Sequence, residues 1–112
     1  MWKVIYPEMI ESLPDVDVPV EGVRGKLVQS SDRQVVFFEI EPIGAIGLHS
    51  HGAQWGIVVE GEMDLTIGDE TRTYRAGDSY YIPAGVEHGA TFKTHFKAID
   101  VFEEPDRYAA RE

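Results

Sequence analysis

The sequence predicts an all-β fold, an antiparallel β-barrel, and three observations carry that prediction. Short runs rich in Val, Ile, Phe and Tyr alternate apolar and polar residues with a period of two. Turn residues separate these runs about every eight to twelve positions, the spacing of a sandwich or barrel. Eleven glycines and six prolines are spread along the 112 residues, and only 7–13, PEMIESL, reads briefly as helix.

In chain order, the first element is the apolar, aromatic MWKVIY at 1–6. It lies too far from the other motifs to be a core strand, so it is expected at an edge. An exposed edge strand is a liability unless paired, and pairing across a two-fold axis predicts a homodimer. Residues 1–21 are therefore read as an N-terminal arm and 22–112 as the barrel. The barrel strands are KLVQ (26–29), QVVFFEI (34–40), WGIVVEGEMDLTIG (55–68, broken at Gly61), TRTY (71–74), DSYYIP (78–83) and HFKAIDVFE (95–103). Turns fall at Ser30-Ser31-Asp32, Gly44, Gly52, Gly61, Gly68-Asp69, Ala76-Gly77-Asp78 and Pro83-Ala84-Gly85. Met63, Leu65 and Ile67 point one way and Glu62, Asp64 and Thr66 the other. Met63, Leu65, Ile67, Val58, Ile82 and Phe38 are expected inside. In the last strand Phe96, Ala98, Asp100 and Phe102 share a face, with Lys97, Ile99 and Val101 opposite. Asp100 thus falls in an apolar stretch, a costly place for a carboxylate without a partner.

Composition narrows the function. Hydrophobic residues make up 43% and charged residues 27%, ordinary for a globular chain. No run approaches the roughly 18 apolar residues of a membrane span, and MWKVIYPEMIESLP lacks signal-peptide order, so the cytoplasm is the expected location. The absence of cysteine excludes disulfides, iron–sulfur clusters and thiolate zinc sites. A formal charge of -10 disfavours nucleic acid and anionic lipid as partners.

The chemistry gathers on histidines. In LHSHGAQWG, residues 48–56, His49 and His51 lie two apart, so on a strand they project to one side about 7 Å apart. Gly52-Ala53 permits a tight reversal that brings Gln54 beside them, three ligands from one hairpin. In IPAGVEH, residues 82–88, a rigid Pro-x-Gly turn delivers His88 as a fourth. His95 in KTHFK has no such company and reads as a surface residue.

These residues resemble the cupin family. Gly44 to Gly61 is similar to the first cupin motif, and Gly77 to His88 to the second, with about fifteen residues between them. The resemblance covers roughly residues 22–103. It implies a jelly-roll barrel of two sheets with one divalent ion, Zn, Ni, Fe or Mn, held by His49, His51, His88 and Gln54. Two departures stand out: Gln54 replaces the usual glutamate, and it follows His51 more closely than the family's spacing. Four neutral ligands leave the ion its full charge, which favours Lewis-acid binding of an anionic small molecule.

The ending resembles the cupin subgroup that ketonises unsaturated uronates from pectin and alginate. The match is to His49, His51, Gln54, His88, Asp100, Phe102 and Arg107, although Arg107 sits one residue late. GVRGK at 22–26 resembles that subgroup's opening, with Gly25 where an arginine is usual. The resemblance implies metal-assisted proton transfer on a carboxylated sugar derivative. Asp100 would be the general acid or base, Phe102 an apolar wall, and Arg107 or Lys26 the carboxylate partner. The alternatives are a cupin dioxygenase or decarboxylase, against which the missing glutamate counts, and a non-catalytic metal- or sugar-binding module.

Overall fold

The computed structural model describes residues 2–111; Met1 and Glu112, the outer bounds of the expected arm and barrel, lie outside them. One short helix, α1 (Glu8–Glu11), precedes nine strands: β1 (Val23–Gln29), β2 (Gln34–Ile40), β3 (Gly44–His49), β4 (Gln54–Glu60), β5 (Glu62–Ile67), β6 (Glu70–Arg75), β7 (Ser79–Ile82), β8 (His88–Phe92) and β9 (Phe96–Phe102). They form two antiparallel sheets, β1-β2-β9-β4-β7 and β3-β8-β5-β6, packed face to face as a jelly roll. Among the described residues no helix is long and apolar enough to cross a membrane.

The alternation read from the sequence becomes inward rows. In the five-stranded sheet the first row is Gln34, Phe102, Gln54 and Ile82, and the second is Val36, Asp100, Gly56 and Tyr80. The third is Phe38, Ala98 and Val58, and the fourth Ile40 and Phe96. The facing sheet answers with His49, His88 and Ile67, then Ile46, Ala90 and Leu65, with Phe92 and Met63 deeper. Met63, Leu65, Val58, Ile82 and Phe38 are buried as expected, while Ile67 is half-buried against the same core. At Gly61, which joins β4 to β5, φ is +81° and a Cβ would stand 2.0 Å from the His95 carbonyl oxygen. Only glycine fits there.

The two outer faces differ. On the four-stranded sheet, outward Glu62, Asp64 and Thr66 meet Arg75, Thr73 and Thr71 at 3.1, 2.6 and 2.7 Å. On the five-stranded sheet, Val28, Val35, Val101, Trp55 and Tyr81 stand in one apolar row, and Trp55 and Tyr81 remain 41% and 58% exposed.

The N-terminal arm departs from the sequence reading. Residues 2–6 form no strand. The backbone amides of Lys3 and Val4 donate to the Glu60 carboxylate, and the Tyr6 hydroxyl donates to the Phe38 carbonyl at 3.0 Å. Lys97 donates to the Val4 carbonyl and lies 4.8 and 4.6 Å from the Trp2 and Tyr6 ring centroids. The segment thus packs on the outer face of its own sheet, because a cation between two aromatic rings holds it there. Further along, Val16 donates to Gly25 and Pro14 accepts from Leu27, so the arm lines the β1 edge; Asp17 and Arg111 then exchange bonds with Ala109 and Asp15 of the C-terminal tail.

Candidate metal centre

Three imidazoles converge at one end of the barrel, with ligand atoms all within 4.8 Å of one another. His49 ends β3 and lies opposite His88, the first residue of β8. The register is irregular between Ile46 and His49, and His51 lies beyond the strand, so convergence does not come from a regular i, i+2 pair. The Pro83-Ala84-Gly85 turn is tied to the first motif by the Gly85 amide, which donates to the His51 carbonyl at 2.9 Å.

Gln54 arrives by a different route from the one expected. β3 and β4 belong to different sheets, so residues 50–53 cross between layers and His49, His51 and Gln54 do not share a hairpin. The alternation within each segment said nothing about which sheet it would join. Gln54 enters in the first row of the opposite sheet, and its amide nitrogen donates to Asp100 Oδ1 at 2.9 Å. A carboxylate only accepts, so the amide must turn its NH2 toward Asp100, leaving the carbonyl oxygen as the ligand atom it can offer.

The three histidines fit a cation. Nδ1 of His49, His51 and His88 lies 3.0, 2.8 and 3.0 Å from the carbonyls of Gly47, Gly52 and Val86. A carbonyl can only accept, so each Nδ1 carries the proton and each Nε2 turns a lone pair inward. The Nε2 atoms of His51 and His88 stand 3.1 Å apart, and two lone pairs at that distance call for a positive charge between them. Burial lowers the pKa of both rings below the ordinary imidazole value, and the Arg107 charge and neighbouring imidazoles lower it further; the Nδ1 bonds to Gly52 and Val86 oppose this only in part. The rings are thereby kept neutral, as ligation requires. Glu104 steadies the loop by accepting from the Gly52 amide at 2.8 Å, 3.6 Å from His51 Nδ1.

Asp100 faces inward, fully buried. Its Oδ1 accepts from Tyr80 at 2.7 Å and from Gln54. Burial pushes its pKa up to about 6, against the downward pull of those two hydrogen bonds. Burial and then the Asp100 charge push the Tyr80 hydroxyl well up. Gly56 makes room: a Cβ there would stand 2.2 Å from Asp100 Oδ1 and 2.4 Å from the Tyr80 hydroxyl.

Phe102 forms a wall, its ring centroid 5.7 Å from that of His51. Arg107 also lines the cavity, because the tail is clamped by the buried Gln34 amide. Gln34 donates to the Tyr108 carbonyl at 2.7 Å and accepts from the Tyr108 amide at 3.0 Å. The Arg107 guanidinium lies 4.5 Å over the Tyr108 ring, and its Nε is buried with no hydrogen-bond partner among the described residues. Lys26 faces outward and pairs with Asp15 at 2.7 Å, which corrects its expected place at the site: β1 alternation turns Val23, Gly25 and Leu27 inward instead. His95 is exposed, as read, and bonds Glu41 at 2.8 Å. The sequence reading missed Gln34, Tyr80 and Glu104. Gln34 and Tyr80 carried a signal, each a polar residue at an inward position of an apolar alternation; Glu104 carried none.

A family model described as Cupin domain matches residues 36–102. The chain belongs to the cupin family. Among curated proteins this cupin is 37% identical over 82 residues to the H2HPP isomerase of Bacillus subtilis, covering 71% of this chain and 35% of that protein. It thus spans about a third of that relative's length. Among solved structures it is similar to an RmlC-like cupin from Shewanella frigidimarina, at 27% identity and TM-score 0.73, covering 84% of this chain and 86% of that one. It is also similar to KdgF from Halomonas sp., at 26% identity and TM-score 0.71, covering 83% and 87%.

Proposed function

We propose that this cupin is a metal-dependent isomerase that moves a proton on a small carboxylate-bearing substrate, with Asp100 as the general acid–base. The observation that carries the reading is the placement of a carboxyl of pKa about 6 one hydrogen bond from Gln54, beside three convergent imidazoles. An acid–base group works best when its pKa lies near the operating pH. A divalent ion on His49, His51, His88 and Gln54 would supply Lewis-acid polarisation and fixed positive charge at the substrate's oxygens. Asp100 takes the proton from a substrate hydroxyl oxygen and delivers it to an alkene carbon, so that the C=C bond is replaced by a C–H bond and a carbonyl, and the Tyr80 hydroxyl supports its charged form. Arg107, whose side chain lines the cavity, pairs the substrate carboxylate through its guanidinium, and Phe102 excludes water. The similarity to KdgF, with the Asp100, Phe102 and Arg107 ending, supports an unsaturated uronate as the first substrate to assay.

The test is turnover of an unsaturated uronate by protein loaded in turn with Zn, Ni, Fe(II) or Mn, read as loss of the alkene chromophore. Activity that chelation abolishes and one of these metals restores is the expected result. Fully loaded protein that leaves the substrate and related unsaturated carboxylates untouched reduces the protein to a binding module.

The homodimer expected from the sequence keeps a physical basis at a different place. The row of Val28, Val35, Val101, Trp55 and Tyr81 offers an apolar face to a second copy, and the arm that covers the neighbouring rows leaves its own Ile5 and Met9 exposed. Light scattering at micromolar concentration should give twice the chain mass of 12.6 kDa, falling to the chain mass in Trp55→Glu. A wild type that is monomeric removes the dimer.

A further inference from the structure

The cavity behind the histidines has two chemically different ends, and we infer that it selects a carboxylate whose body is an apolar ring or chain over one covered in hydroxyls. This rests on the reading of the polar end as a carboxylate seat, and within that reading it ranks a hydroxylated uronate below unsaturated carboxylates with an apolar body. His49, His88, Gln54, Asp100 and Tyr80 all fall in the first two inward rows of the two sheets, and His51 joins the other imidazoles from the loop between β3 and β4. Beyond them the walls are Phe38, Ile40, Leu65, Met63, Phe92 and Phe96. His88 to Phe92 on β8 and Asp100 to Phe96 on β9 each span four residues, so these walls run about 13 Å from the polar end. The whole cavity is about 440 Å³, a size suited to a small molecule.

The apolar end offers a hydroxyl nothing to bond. Its side chains are hydrocarbon or thioether, and the main-chain groups behind them are engaged in the Phe38–Ala98–Val58 and Leu65–Ala90 ladders. Each ligand hydroxyl buried there gives up water without replacement, at about tenfold or more in affinity. An apolar body meets the opposite situation, since a cavity with such walls stays dry when empty and takes apolar guests. The mouth matches the interior. Pro19, Val20 and Gly47 line the cavity and are also exposed, which places the opening between the 18–20 strap and β3, flanked by Val18 and Ile46.

Calorimetric titration of the metal-loaded protein with 3-phenylpropanoate and with glucuronate tests this. Each carries one carboxylate and a six-membered ring; beyond the carboxylate 3-phenylpropanoate is all hydrocarbon, whereas glucuronate bears hydroxyls and a ring oxygen. The expected result is at least about tenfold tighter binding of 3-phenylpropanoate, with the ratio narrowed in Ile46→Asn and Val20→Asn. Val20 is 42% exposed, so its polar replacement is compatible with folding, and a circular dichroism melt checks both variants. Equal or tighter binding of glucuronate overturns the inference and leaves the carboxylate seat standing. Binding of 3-phenylpropanoate that is unchanged by chelation and by Arg107→Met removes the seat while the apolar selectivity stands. Failure of both ligands to bind the loaded protein removes both.

Discussion

Replacing Asp100 with asparagine separates the carboxyl's chemistry from its place in the packing. The asparagine Oδ1 can accept the same two hydrogen bonds, from Tyr80 and Gln54, so the local geometry is preserved. Stability should then rise in metal-free protein. Holding a carboxyl at about 6 instead of 3.8 costs the folded state on the order of 3 kcal/mol at neutral pH. The new Nδ2 group, buried with no acceptor, returns about 1–2 kcal/mol of that. A net gain of about 1–2 kcal/mol remains, a rise of a few degrees in Tm. The sign follows from linkage. The folded state binds this proton more tightly than the unfolded state, so the cost is absent below pH 3.8, grows between 3.8 and about 6, and is complete above that. The advantage of Asp100→Asn should therefore grow between pH 4 and 7 and shrink when a dication is present to offset the buried negative charge. Turnover of any substrate the wild type isomerises should fall about a hundredfold or more, the scale of a lost general acid–base group, with metal content unchanged. Paired denaturation curves at pH 5 and 8, with chelator and with metal, give the stability terms; kcat gives the chemistry. A gain independent of pH would falsify the assigned burial cost, and undiminished kcat would remove Asp100 from the reaction.

His49→Ala or His51→Ala should abolish stoichiometric metal by elemental analysis, whereas Gln54→Ala should weaken binding less because water can replace a carbonyl ligand; full metal in a His51→Ala, His88→Ala double variant would place any ion elsewhere. In metal-free protein, imidazole titration by NMR should place His51 and His88 below the ordinary 6.5, so that protons displace a metal only on the acid side of neutrality; midpoints above 6.5 contradict the burial described. Gly56→Ala should cost about 1–3 kcal/mol in chemical denaturation and lower kcat, since its Cβ collides with the Asp100–Tyr80 pair; a variant as stable as wild type would mean the pair has space to move.

The strands with clean alternation were legible in the sequence because alternation is a local rule; the histidines were legible as a set from the two motifs, but not the route by which they converge, since the register breaks after Ile46 and His51 lies beyond the strand. β3 was not named as a strand, since GAIGLH is half-exposed along its length and two glycines weaken its pattern. Sheet membership was hidden for a different reason: the same alternation serves β3 and β4, yet they pack in opposite layers. Nor could the sequence choose which face of β9 points inward. Ile99 and Val101 are as apolar as Ala98 and Phe96, and the decision rests on distant partners, Tyr80 and Gln54 inside and the arm outside. Arg107 reaches the cavity only through the Gln34 clamp, 74 positions from Tyr108.

β9 is the ninth strand in chain order, yet it sits in the middle of the five-stranded sheet, between β2 and β4. That position imposes an order of events on folding. While the chain is being synthesised, β1 and β2 can pair as a hairpin, and β5 with β6, but no ladder connects β2 to β4 until residues 96–102 have been made. Closing those long loops is entropically slow, so this strand should set the rate at which the barrel forms. The same strand carries Asp100 and Phe102. All three histidines precede it in the chain, but the chamber they open into is finished only when its last wall arrives.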